Sequence, residues 1–320
     1  MKLKSVYIII ALMLGFLSSC KKNDDSGGGG GAPPRLLSEV AAEDDEEIVT
    51  FLKTHFYNYE EFETPPTGFD YKIRLDTIAG DNADKISIFD RSELITERIM
   101  VASSEFRIND EEEFEHNLYI LVARQGAVPD SVPTIGDNAI LRYEGSLLNG
   151  TLFDASTNQP VRFNLSGVVR GFGNGVEYFQ KGTGPIENTD GTITYEGFGI
   201  GAIFIPSGLG YFNSPPAGTG ISAYSPLVFK IDAFDYEPDT DLDGDGIPSI
   251  LEDLDGDGNL NNDNTDGDFD PRGILYNYRD ADDDNDGIPT REEIVLDDEG
   301  NFVRFKDTDG DGIDDHLDND

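Results

Sequence analysis

Four short stretches near the end of the chain set carboxylates at alternating positions. Asp241, Asp243 and Asp245 lead into Gly246, and Glu252 stands twelfth from Asp241. Asp282, Asp284 and Asp286 lead into Gly287, with Glu293 at the same offset. Asp307, Asp309 and Asp311 lead into Gly312, with Asp318 at that offset. Asp253, Asp255 and Asp257 lead into Gly258, but their twelfth position is Asn264. Alternate side chains turned back by a glycine bring hard oxygens to one centre, and calcium takes about six to eight of them. Backbone carbonyls at the seventh position, from Ile247, Ile288 and Ile313, would complete the sets. The expected chemistry is calcium binding in a structural role.

The charge agrees with that reading. The chain has 320 residues, 64 acidic and 23 basic, and a formal charge of −41. So anionic a surface repels a phosphate backbone, which excludes nucleic acid as a partner. Residues 239–320 hold 29 of the acidic and 5 of the basic side chains. A disordered acidic tail has no reason to repeat both the Asp spacing and the glycine offset. The recurring Asp-Gly-Asp-Gly-Ile resembles thrombospondin type 3 repeats, which implies calcium ions in place of an apolar core. The flanking segments are too short and irregular for paired EF-hand helices. The lone cysteine rules out an intrachain disulfide framework and a cysteine-based zinc site. The 20 Phe and 13 Tyr call for an ordinary core elsewhere, and the length suggests about two domains.

The elements of that core are legible. Leu118–Ala123, Ala139–Gly145, Thr151–Asp154 after an Asn149-Gly150 turn, Pro160–Leu165, Ala202–Ile205 and Leu227–Phe234 have the content of strands. A short helix starts near Gly171 and ends by Phe179. Such a series predicts an α+β fold, a mainly antiparallel sheet with the helix on one face.

Five motifs in order carry a resemblance over residues 117–237. They are Arg142-Tyr143-Glu144-Gly145, Leu152-Phe153-Asp154-Ala155-Ser156, Val168-Val169-Arg170-Gly171-Phe172, Leu209-Gly210-Tyr211, and Gly220-Ile221 with Leu227-Val228-Phe229. Together they resemble an FKBP-type peptidyl-prolyl isomerase. The resemblance implies a curved antiparallel sheet wrapped on a short helix, with an aromatic pocket between them. Carried onto this chain, it places Tyr143, Phe153 and Asp154 on one wall. Val168, Val169 and Phe172 form the floor, and Tyr211, Ile221 and Phe229 close the rest. Phe172, Val169 and Phe229 would hold a proline ring, the Ile221 N–H would bind substrate, and Tyr211 and Asp154 would orient peptide carbonyls. Two positions depart from the pattern. The floor residue, commonly Trp, is Phe172, and a wall position that is often Phe falls on Val161. Gly182 to Gly199 is an insertion before the next strand.

Such catalysis needs no cofactor, nucleophile or metal. Rotation about an X-Pro bond passes through a twisted amide that has lost its resonance. Removing water from the prolyl carbonyl disfavours the charge-separated planar amide more than the twisted one. The expected partners are proline-containing peptides or unfolded exported proteins.

The N-terminus predicts the compartment. Lys2 and Lys4, an apolar run from Val6 to Leu17, and Ser18-Ser19 before Cys20 have the layout of a secretory leader, residues 1–19. The position of Cys20 resembles a lipobox, which implies a lipidated cysteine anchored to a membrane without spanning it. An ordinary leader with an incidental cysteine is the alternative. Residues 20–34, with five successive glycines, form a flexible tether. The charged residues after Cys20 resemble signals that send some lipoproteins to the cell surface, and a periplasmic face stays open.

Residues 35–116 read as an N-terminal extension. Ile48, Phe51, Leu52, His55 and Phe56 have helical spacing behind the acidic run Glu43–Glu47, and Tyr71–Ile78 and Leu94–Val101 look like strands. His55 and His116 are isolated and read as core or surface residues. The whole predicts an isomerase assisting the folding of exported proteins, lipid-anchored in the cell envelope at the outer membrane. A calcium-dependent surface binding module that reuses an inactive isomerase scaffold is the alternative.

Overall fold

The computed structural model describes residues 33–319 apart from 268, 271 and 272. The expected leader, Cys20 and the glycine run lie outside the described residues.

Helix α1 (Leu37–Thr54) buries Leu37, Val40, Ala41, Ile48 and Leu52, one stripe at the helical period. The sequence reading puts Glu43–Glu47 ahead of the helix, whereas they lie inside it, because Leu37 and Val40 extend the stripe upstream. Asp44 faces inward at 3% exposure. The Ser207 N–H and hydroxyl donate to its Oδ2 at 2.7 and 2.6 Å. Strand β1 (His55–Tyr57) follows, then helix α2 (Tyr59–Glu63) and strand β2 (Leu75–Thr77), which pairs with β1. The strand expected over Tyr71–Ile78 is thus cut to three residues, and Tyr71 has a positive φ that ends extended backbone.

The sheet is formed by β3 (Leu94–Ala102), β4 (Glu113–Arg124), β5 (Asn138–Leu147) and β6 (Leu152–Asn164), then, after helix α3 (Arg170–Val176) and the hairpin β7 (Thr183–Glu187) with β8 (Ile193–Glu196), by β9 (Gly199–Ile205) and β10 (Leu227–Glu237). Its order is β3-β4-β9-β10-β5-β6, antiparallel throughout. β6 is one strand where the sequence suggests two, and register shifts against β5 let it bend. β4 runs across the domain boundary expected at residue 117, and β3 makes the sheet edge. The insertion is the β7–β8 hairpin.

Every residue of β9 is buried. Side chains alternate between the faces of a strand, so such a strand needs two covers. On one face Ile203 and Ile205 pack with Phe172, Val176, Leu118 and Ile120 around α3. On the other, Ala202 and Phe204 pack with Ile48, Leu52, Tyr57 and Val228. Residues 35–116 thus supply both an edge strand and the second cover.

The described residues of 239–319 form short 3-10 turns, a one-turn helix (Thr290–Glu293) and two small antiparallel hairpins (Phe269–Asp270 with Gly273–Ile274, Val295–Leu296 with Phe302–Arg304), joined by loops and laid against this unit. The segment contributes apolar anchors. Leu260 and Tyr278 join the core around α3, and Ile247 and Ile294 are 0% and 3% exposed.

Candidate active site and candidate metal centre

A cavity of about 680 Å³ lies beside α3. Tyr143 reaches it from β5, Phe153 and Asp154 from β6, Val168 and Val169 from the turn before α3, and Phe172 from α3 itself. Tyr211 and Phe229 close it from the far part of the chain. Of the expected residues, Ile221 and the wall position Val161 are outside the lining. Ile221 is 9% exposed and belongs to the same apolar cluster as Phe172 and Phe229. Its N–H donates to Thr219 Oγ1 at 3.3 Å. Val161 is 36% exposed and also absent from the lining. Phe163, two residues on and on the same face of β6, takes that wall. Its ring lies 5.3 Å from Tyr143 and 5.6 Å from Phe172. The period of two along a strand was the signal that could have found it.

The floor is aromatic and edge-to-face. Phe172 and Phe229 have centroids 4.9 Å apart at 78°, and Phe153 and Phe229 are 5.5 Å apart at 80°, both favourable quadrupole arrangements. Gly145 makes room for them. A Cβ there would sit 2.6 Å from the Phe153 ring and 2.8 Å from that of Phe229. The Tyr143 hydroxyl donates to Asp154 Oδ2 at 2.7 Å, and the Ala155 N–H donates to Oδ1 at 2.9 Å. Burial and the bond to Asp154 hold the Tyr143 hydroxyl well above its ordinary range, so it stays a donor. Burial and the Asp154 charge raise Tyr211 as well. The direct side-chain partner of Asp154 is Tyr143.

The Asp loops repeat one local geometry. Asp241 accepts the N–H of Gly244 and Gly246, Asp253 those of Gly256 and Gly258, and Asp307 those of Gly310 and Gly312. The sixth-position glycines have φ of 105°, 74°, 94° and 101° at Gly246, Gly258, Gly287 and Gly312, a region open to glycine at little cost. Oxygens of Asp241, Asp243 and Asp245 converge within 4.8 Å, as do those of each other Asp triplet: Asp253, Asp255 and Asp257; Asp282, Asp284 and Asp286; Asp307, Asp309 and Asp311. Glu252 joins Asp245. Glu293 and Asp318 enter none of these groups among the described residues. Ile247 is buried, while the Ile288 and Ile313 side chains are about half exposed.

Two carboxylates missed in the sequence belong here. Asp283 converges with Asp245 and Glu252, and Asp263 is 6% exposed with an unpartnered Oδ2. Asp263 stands eleventh from Asp253, one short of the expected offset. Burial, then the charges of Asp243, Asp245 and Asp283, pushes Glu252 up to about 11. Burial lifts Asp283 to about 9 and Glu293 to about 7. Such shifts mark negative charge buried without counter-charge, and an oxygen-only donor set fits a hard cation.

The two sites adjoin. Arg170 opens α3 directly after Val168 and Val169. Its guanidinium donates to Glu105 at 3.0 Å and to the Asp257 carbonyl and carboxylate at 2.9 and 3.2 Å. Asn261 donates to the Ser166 carbonyl at 2.9 Å. The second Asp loop is thus bonded to the turn that carries the pocket floor.

Residues 130–184 match the family model of FKBP-type peptidyl-prolyl cis-trans isomerases. A relative from Neisseria meningitidis serogroup B, named a probable FKBP-type peptidyl-prolyl cis-trans isomerase FkpA, is 34% identical over 101 residues, 31% of each chain. The peptidyl-prolyl cis-trans isomerase Mip of Coxiella burnetii is 30% identical over 114 residues, 35% of this chain and 40% of that one. The chain therefore spans about a third of the length of these relatives. The solved structure of FkpA from Escherichia coli aligns with 63% of this chain and 64% of its own at 19% identity, with a TM-score of 0.34. Tyr211 and Phe229 lie beyond the matched residues yet line the same cavity as Tyr143 and Phe172. The central part of this chain carries an FKBP-type peptidyl-prolyl isomerase domain.

Proposed function

We propose that the chain catalyses cis–trans isomerisation of X-Pro bonds in exported polypeptides. The observation that carries this reading is the convergence of Tyr143, Phe153, Asp154, Val169, Phe172, Tyr211 and Phe229 on one aromatic-lined cavity. The Phe172, Phe229 and Val169 surface takes the proline ring. With water excluded, the planar amide loses the solvation that favours its charge-separated form, and the twisted amide is preferred. The Ile221 N–H is held by Thr219 through a long bond, which a substrate carbonyl can replace. Asp154 fixes the Tyr143 ring at the rim. Binding the twisted form better than the planar one lowers the barrier.

Lipidated Cys20 would anchor the chain in the cell envelope at the outer membrane, and the Asp repeats would bind structural calcium. The buried unpartnered oxygens of Asp243, Asp245, Glu252 and Asp284 support the calcium reading. An extracytoplasmic site agrees with it, because weak calcium sites fill at the millimolar levels found there. The deciding experiment is exchange of a Phe-Pro peptide by the intact protein, with calcium and with chelator. Acceleration over the uncatalysed rate is the expected result. A rate equal to the uncatalysed one under both conditions would sink the enzyme and leave the binding scaffold.

A further inference from the structure

The first and third Asp loops meet in the interior. Asp245 is the fifth residue of the first loop and Glu252 its twelfth, whereas Asp283 is the second residue of the third. Each offers a carboxylate oxygen within 4.8 Å of the others. Each residue is only 2% exposed. Asp245 Oδ2, both Glu252 oxygens and both Asp283 oxygens have no hydrogen-bond partner. Asp245 uses its other oxygen to accept the Ile247 N–H at 2.7 Å. Asp283 is held through its backbone, whose N–H donates to Thr290 Oγ1 at 3.1 Å. Arg291, whose charge acts on Asp245, donates to the Gly244 carbonyl at 3.5 Å and to none of the three carboxylates among the described bonds.

Burying an unpaired carboxylate is strongly unfavourable, and burying three together adds repulsion. Protonation alone would create O–H groups that need acceptors, and these oxygens make no such bond. One cation relieves the repulsion and satisfies the oxygens together. The donors are all oxygen, which selects a hard ion. Oxygens on opposite sides of a calcium lie up to about 5 Å apart, which the observed spread matches. The loops impose no strict octahedron, so calcium fits better than magnesium.

We propose that Asp245, Glu252 and Asp283 hold one calcium ion in common, joining the first repeat to the third. The inference rests on the calcium reading of the repeats and adds an inter-repeat ion to it. The second position of a loop, which points away from that loop's own centre, here serves the neighbouring one. Residues 253–282 become a closed excursion tied at its base.

The test is calcium titration of the chelator-stripped full chain by calorimetry, with Asp283→Asn, Glu252→Gln and the double variant. Asp283→Asn should lose one bound ion, or weaken one class of site about tenfold or more. The double variant should lose no more than either single one, because both act on the same ion. Losses that add, or an Asp283→Asn titration identical to that of the unsubstituted chain, would overturn the proposal while leaving calcium binding intact. No calcium bound by the unsubstituted chain would end both readings. Should the variants not fold, anomalous scattering from calcium-loaded crystals of the unsubstituted chain decides. An ion within about 2.6 Å of both Glu252 and Asp283 oxygens supports the proposal, and an ion bonded to the first loop alone overturns it.

Discussion

Gly145→Ala tests whether the aromatic floor is the working surface. The added Cβ would lie 2.6 Å from the Phe153 ring and 2.8 Å from that of Phe229, where ordinary contact begins near 3.4 Å. One or both rings must therefore retreat by about 0.8 Å. Phe229 is 6% exposed and packed against Phe172, so the less buried Phe153 gives way more easily. Overpacking of this kind destabilises by about 1–3 kcal/mol. The larger effect falls on activity, since a misplacement near 1 Å at a positioned site costs up to about 100-fold in rate. The expected outcome is a fall in kcat/KM for a Phe-Pro peptide of about tenfold to 100-fold, with a modest loss in urea stability. Adding Phe153→Leu makes room and should restore stability. Unchanged kcat/KM in a variant that shows the expected destabilisation would refute the idea that these rings set the reaction geometry.

Tyr143→Phe removes the hydroxyl bonded to Asp154, which then turns to solvent. Both groups are at the rim, so stability should change by less than about 1 kcal/mol, while a lost positioning bond of that size lowers kcat/KM about fivefold; equal kcat/KM would count against the role given to the pair. Asp44 predicts a pH dependence: burial pushes its carboxyl up to about 7, against the ordinary 3.8. Between about pH 4 and 7 the folded chain keeps a proton that the unfolded chain has lost, so this group's contribution to stability falls as pH rises through that window and levels off above it, by an amount on the order of 4 kcal/mol. Urea unfolding of Asp44→Asn should show a flatter profile than the unsubstituted chain across that window, and parallel profiles would show that Asp44 does not titrate there.

The helix–sheet core and most of the pocket were legible because their signals are local. Tyr143, Phe153 and Asp154 flank one turn, and Val168 to Phe172 form one continuous segment. Phe163 and Val161 sit on the same face of β6, and alternation alone does not say which of them reaches the pocket. Ile221 shares the apolar cluster of Phe172 and Phe229 but stays outside the cavity lining, where Thr219, which accepts its N–H, stands instead. The second cover of the sheet was not readable. Nothing in α1 says which face of which strand it meets, and only the complete burial of β9 explains why a cover is required.

The sequence by itself determined the Asp loops. Spacing over six residues sets which carboxylates turn inward, because a glycine at positive φ bends the chain there whatever surrounds it. It likewise determined the aromatic inventory and most of the strand segments. Tertiary structure decided the rest. It brought Asp283 to Glu252, seated the second loop on Arg170 beside the pocket floor, and buried Asp44 against Ser207. The physical reason is range. Backbone turns and strand alternation are set by neighbours in the chain, whereas which buried charge meets which depends on packing between segments far apart in sequence.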